Sequence, residues 1–188
     1  MRLGPRQILV LFTIGALGGL AGDQAHVASG ATRYLDHSLP FVWRSEIWFP
    51  VAVGLGTVSV ADLRLRLAPA RAPFDLRQAG EAIAAVLAIY AVTALVTDEA
   101  TGSSVLLVTM LAALVSARYA DGWPGLTCGL LAAIVGPVVE IVVVHNDIAE
   151  YGSNVDGLFG VAPWLPMLYF AFGVVVARLA EMSVATRA

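Results

Sequence analysis

Apolar residues run through this chain in long unbroken stretches. They do not alternate as in a half-buried strand, nor follow the narrow stripe of a soluble helix. A helix needs about 20 mostly apolar residues to cross a bilayer. Six stretches qualify: 6–27, 46–67, 78–97, 103–119, 125–145 and 161–179. Transmembrane β-strands would show as alternating segments of about 10 residues, and these runs do not alternate. The pattern predicts an all-α fold, a six-transmembrane-helix bundle that makes the whole of 1–188 a single integral membrane domain. The links 98–102 and 120–124 are so short that spans three, four and five must run antiparallel in turn. The first stretch, preceded by Arg2 and Arg6, has the outline of a signal peptide, but five further spans favour a retained first helix. Within it, Gly15/Gly19 and Gly18/Gly22 are small-xxx-small pairs, which predict close approach to neighbouring helices.

Composition narrows this further. The 188 residues are 59% hydrophobic and 13% charged, with a mean hydropathy of +0.80, whereas soluble domains carry about 25% charged residues. The one cysteine, Cys128, excludes an internal disulfide, a thiol redox pair and a cysteine-built zinc site. All 11 basic residues are arginine. With abundant Ala, Val and Gly, this points to a GC-rich bacterial genome and so to the bacterial cytoplasmic membrane (the endoplasmic reticulum, were the source eukaryotic). Arg2, Arg6, Arg64, Arg66, Arg71, Arg77, Arg118, Arg178 and Arg187 fall on one side of the predicted topology, and only Arg33 and Arg44 on the other. The positive-inside rule then puts both termini in the cytoplasm, as an even number of spans requires. The net charge of -3 names no partner, and no nucleic acid is expected.

The candidate chemistry is sparse. Glu140 sits in the run PVVEIVVVH, three residues after Pro137. A carboxylate at the bilayer centre costs about 2.5–3.5 kcal/mol on insertion scales, so Glu140 must face protein or water, be protonated, or pair with a polar group such as His26. Pro137 is expected to kink its helix and free a carbonyl nearby. Asp23, Gln24 and His26, at the end of span one, either meet water at the interface or join Glu140, His145, Asp147 and Glu150 in acid–base chemistry. No HExxH, GxSxG, Ser-Lys pair or intramembrane Asp pair supports catalysis, and no metal or cofactor is expected. A proton-coupled transporter would use Glu140 beside the Pro137 break, but repeated halves are not visible. Tyr90, Thr93, Thr109 and Ser116 suit helix contacts or the few polar contacts of an apolar pocket. At the end of span two, Asp62, Arg64 and Arg66 are expected to snorkel. Glu81 is expected to snorkel or to cap its helix.

At Trp48-Phe49-Pro50 with Gly54, and again at Trp164-Leu165-Pro166, the chain resembles the Insig (insulin-induced gene) family. In that family the second helix opens with a WWVP-type motif followed by a Gly, and the last opens with SWLP. Leu111-Ala112-Ala113-Leu114 is similar to the family's LAAL stretch. The resemblance covers about 46–180 in span order and spacing, with few identical residues. It implies six membrane helices with both termini cytosolic, and an intramembrane cavity lined by helices one, three and four. Tyr90 then stands where the family has a pocket Phe, Tyr119 where it has a Trp, and Leu106 where it has a Gln. Asp121 falls within two residues of the acid that Insigs use to engage their sterol-sensing partner.

The sequence thus reads as a non-catalytic membrane protein holding a neutral lipid: sterol-like, isoprenoid or glyceride. The lipid-binding candidates are Gln24, Tyr90, Thr93, Thr109 and Tyr119, with Asp121 for a membrane-protein partner. His26 and Glu140 are the intramembrane polar groups, and a homo-oligomer is compatible. The alternatives are a small proton-coupled transporter using Glu140 and, further off, an intramembrane acid–base enzyme.

Overall fold

The computed structural model describes residues 2–35, 39–70, 73, 75–97, 99 and 101–185. Arg71 and Arg187, used in the arginine count above, lie outside them. Six helices are long and apolar enough to cross a membrane. They are α1 (Pro5–Ser29), α2 (Trp48–Leu67), α3 (Leu76–Leu95), α4 (Thr101–Tyr119), α5 (Trp123–His145) and α6 (Leu165–Ala185). Between α1 and α2 lie the strands β1 (Thr32–Tyr34), β2 (Phe41–Val42) and β3 (Ser45–Glu46), and after α5 comes β4 (Ala149–Tyr151).

The strands were not expected, and they organise one end of the bundle. β1 pairs antiparallel with β4 in the register Thr32↔Tyr151, Arg33↔Glu150, Tyr34↔Ala149, while β2 and β3 form a hairpin. Pieces of two or three residues carry no periodic signal. The pairing nonetheless ties the α1–α2 link to the α5–α6 link, a contact 117 residues apart at Arg33 and Glu150. At the opposite end, the Gln7 amide donates to the Ser183 carbonyl (3.2 Å). The start of α1 and the end of α6 therefore lie together.

Helix ends differ from expectation for identifiable reasons. α1 runs to Ser29, where Gly30 adopts a left-handed φ of 78°. α6 starts at Leu165, not at 161, because Leu158 and Val161 close a bridged turn just before it. Pro166 then falls in the first turn, where a missing N–H costs nothing. The helix continues to Ala185, past the expected 179. Pro50 lies likewise in the first turn of α2. The N-terminus of α3 is capped by Asp75, whose carboxylate accepts from the Arg77 and Gln78 amides. Glu81 instead pairs with Arg77 (2.8 Å).

α6 is the central stave, with 67% of its most apolar stretch buried against 33% or less for every other helix. α5 packs chiefly on α6, α2 chiefly on α1, and α1 also meets α3. The glycines of α1 set these approaches. A methyl at Gly15 would lie 2.1 Å from Thr57 Oγ1 and 3.2 Å from Gly54 Cα. One at Gly19 would strike Val53, and one at Gly22 the ring of Tyr90. Gly18, the fourth, faces open space.

Candidate functional site

Because α2 leans on α1 and α5 leans on α6, the two outer helices leave a slot between them. Its volume is about 380 Å³, within the roughly 300–1,000 Å³ of small-molecule sites. One wall is α2, from Trp48 and Phe49 past Val53 and Gly56 to Leu63; the other is α5, from Leu131 through Val135 and Val139 to Glu140. Tyr169 and Phe172 of α6, with Tyr90 of α3, form the floor. From Trp48 to Leu63 the slot runs about 22 Å along the axis, at 1.5 Å per residue. Leu131, Val135 and Val139 are also exposed on the outside of the bundle, so the slot opens sideways towards lipid. Among the described residues that line it, Glu140 is the one carboxylic acid.

At the strand end the slot meets a small polar enclosure lined by Asp23, His26, Thr32, Tyr34, Glu140 and Tyr151, among others. Asp23 and His26 are buried and do not simply meet water. The Tyr34 hydroxyl donates to Asp23 Oδ2 (2.7 Å), and the Ser45 hydroxyl donates to the same oxygen. His26 Nε2 bonds the Thr93 hydroxyl (2.8 Å), and its ring rests against Tyr90 and Trp164 at 5.3 and 5.4 Å. Glu140 accepts from the Tyr169 hydroxyl (2.8 Å). Its partner is thus a tyrosine, and His26 is taken by Thr93. Burial, then the Asp23 carboxylate beside it, pushes the Tyr34 phenol above its ordinary range. Burial, then Glu140, does the same for Tyr151. Both phenols therefore stay protonated and act as donors.

The terminus end holds a buried ion cluster that the sequence did not reveal. Arg64, expected to snorkel, is 2% exposed. Its Nε donates to Asp121 (2.6 Å) and its outer nitrogen reaches Glu181 (2.7 Å). Arg178 pairs with Glu181 (3.0 Å) and donates to the side-chain Oε1 of Gln78. The cluster joins α2, the α4–α5 turn, α6 and the start of α3. Arg64 and Glu181 lie 117 residues apart, and nothing local signals the pairing. Asp62 and Arg66 pair with each other at the surface.

Of the five lipid-binding candidates, Tyr90 lines the slot. Gln24 is spent on the β2–β3 hairpin, donating to Ser45 Oγ (2.7 Å) and accepting from the Arg44 amide (3.0 Å). Thr93 holds His26, Thr109 bonds its own helix at Val105, and Tyr119 lies under the Arg118 guanidinium. The slot is thus walled by α2, α5 and α6, and a second, smaller apolar pocket, also lined by Tyr90, lies between α1, α2, α3 and α6. Trp48 lines the slot, while Gly54 packs on Phe12 and Trp164 is buried at the head of α6. The slot residues Ala52, Gly56, Val135 and Val139 had only small size or hydrophobicity to mark them. Among the described residues no group of three or more His, Cys, Asp or Glu side chains is placed to hold a metal ion.

Comparison with known proteins gives a consistent set of relatives. The chain is 46% identical over 187 residues to an INSIG protein homolog of Mycolicibacterium vanbaalenii, covering 100% of this chain and 91% of that one. The crystal structure of MvINS, a mycobacterial Insig homolog from Mycobacterium vanbaalenii, superposes with a TM-score of 0.96 at 46% identity, covering 100% of this chain and 99% of that one. A cross-linked trimer of an arginine-to-cysteine variant of MvINS matches equally, with a TM-score of 0.96 at 45% identity. No family model matches the chain.

Proposed function

The chain belongs to the Insig family, and from that premise we propose that it holds a neutral lipid in the slot between α2 and α5 and performs no chemistry on it. The observation that carries this reading is the slot itself. It is about 380 Å³ of almost wholly apolar space, open to the side and ending at one carboxylate. Apolar burial is worth roughly 25 cal/mol per Å², which favours a long hydrocarbon tail there. Among the described residues no cation lines the slot, so none of them attracts an acidic or phosphorylated lipid there. Native mass spectrometry of the protein released from detergent tests this directly. A sterol-like, isoprenoid or glyceride mass carried through purification is expected, and a protein that flies bare would refute it.

Residence in a bacterial cytoplasmic membrane, with both termini in the cytoplasm, belongs to the same proposal and rests on the arginine asymmetry. Self-association is supported by the trimer of the relative. A membrane partner reaching Asp121 would have to compete with Arg64 for its carboxylate.

One observation favours a second reading, a proton-coupled carrier. Glu140 lies inside a membrane helix, linked to the Tyr169 hydroxyl, and intramembrane carboxylates commonly relay protons. Glu140→Gln separates the two. A lipid binder should keep its lipid, with a stability loss of about 1–2 kcal/mol for the altered hydrogen bond. In proteoliposomes, a proton flux in the wild type that vanishes in Glu140→Gln would establish the carrier.

A further inference from the structure

The terminus end of the bundle holds a second large cavity, about 490 Å³ in volume, which the lipid reading leaves unused. It lies among the end of α2, the link that follows it, the α4–α5 turn and the later part of α6. Its charged lining is the buried ion cluster: Arg64, Asp121, Arg178 and Glu181. Trp123 and prolines of the neighbouring turns make up most of the rest. The volume is that of a small-molecule site.

Two of the charged groups keep hydrogen-bonding capacity that the cluster does not use. Asp121 accepts from Arg64 through Oδ2 alone, while its Oδ1 is buried with no partner among the described residues. A guanidinium carries five N–H groups. Among the described residues, Arg178 spends one on Glu181 and two on Gln78 Oε1. Two remain, on a side chain that is 20% exposed and lines the cavity. Buried polar groups are nearly always satisfied, so one space presents an unmet acceptor and an unmet pair of donors.

Charge balance narrows what can answer both. Arg64 and Arg178 offset Asp121 and Glu181, so a net charge brought among them would stand uncompensated at low dielectric. A zwitterion adds no net charge. We propose that the cavity binds a small zwitterion, a primary ammonium joined by a few bonds to a phosphate or carboxylate. The ammonium donates to Asp121, and the anionic group accepts from Arg178. Trp123 lines the cavity and is 61% exposed, which offers the ammonium an indole as well. A quaternary ammonium has no N–H and leaves Asp121 unfilled. The head of an ethanolamine phospholipid and a free amino acid share this chemistry. The site stands apart from the slot, so its success or failure leaves the neutral lipid there untouched.

Two arms separate the sources. In the first, the full chain sits in nanodiscs of phosphatidylethanolamine, phosphatidylcholine and phosphatidylglycerol in equal parts, with identical acyl chains. Native mass spectrometry then identifies the phospholipid that stays bound. The ethanolamine lipid should be retained about tenfold over each of the others, the worth of one hydrogen bond. In the second arm, leucine, 4-methylpentanoate and 3-methylbutylamine are titrated against the chain in phosphatidylcholine nanodiscs, with binding read by ligand-observed NMR. The last two probes each carry one of leucine's charges. Selection of the ethanolamine lipid alone assigns the site to a lipid head, and selection of leucine over both fragments assigns it to a soluble amino acid. Arg178→Gln and the surface variant Trp123→Ala should each weaken the selected zwitterion by about tenfold. Equal retention of the three phospholipids with no preference for leucine would overturn the proposal. So would undiminished binding in Trp123→Ala and Arg178→Gln, or tighter binding of either singly charged probe than of leucine.

Discussion

Arg64 shows how little its neighbourhood in sequence says about a charged residue at a membrane boundary. Arg64 and Arg66 sit two positions apart at the end of α2. Arg66 is paired with Asp62 at the surface, whereas Arg64 turns inward to two carboxylates from α6 and the α4–α5 turn. Charges so placed have lost water and depend on each other. Removing one partner of a buried pair costs about 3–5 kcal/mol, because the remaining charge is stranded. Arg64→Met should therefore lower the thermal unfolding midpoint in detergent sharply, and Arg66→Met should leave it nearly unchanged, as exposed pairs are worth about 0–1 kcal/mol. Equal midpoints for the two variants would mean that Arg64 reaches water after all. Glu140 carries the complementary lesson. An acid among valines announces that it needs a partner, but the partner that meets it, Tyr169, is 29 residues away on α6.

Among elements, α1 was the most legible and the strands the least. Small residues four apart on an apolar helix have one plain physical use, close approach of backbones. Three of the four α1 glycines are used that way, against Thr57, Val53 and Tyr90. Gly15→Ala should accordingly cost about 1–3 kcal/mol through overpacking, while Gly18→Ala, with nothing within 4 Å of its methyl, should be neutral or slightly stabilising. Thermal unfolding of the pair reads this, and equal losses at both positions would contradict the packing of α1 on α2. The six spans were legible because hydrocarbon admits few backbone solutions. The β1–β4 pairing was not, since its three-residue strands come from links more than 110 residues apart and carry no pattern. The slot escaped for a related reason. It is a gap left by helices that lean away from each other, and a gap has no residue type. Tyr90, on its floor, was legible both as a polar group in an apolar span and through the family resemblance.

The whole molecule joins an ion-paired terminus end, a sideways-opening apolar slot and a polar strand end in one bundle. Its orientation can be read in intact cells. With Cys128, which is buried, replaced by Ala, single cysteines at positions 71 and 187 should resist a membrane-impermeant thiol reagent until lysis, and one at the exposed position 154 should react beforehand. A reagent-accessible position 71 in intact cells would reverse the topology. The central claim, that the slot between α2 and α5 is where the lipid sits, is tested most directly by filling it. Gly56 lines the slot and a Cβ added there meets nothing within 4 Å, so Gly56→Phe should project its ring into the space with the backbone undisturbed. Native mass spectrometry should find the neutral lipid on the wild type and none on Gly56→Phe at an unchanged unfolding temperature. The same lipid at the same stoichiometry on both proteins would contradict the account.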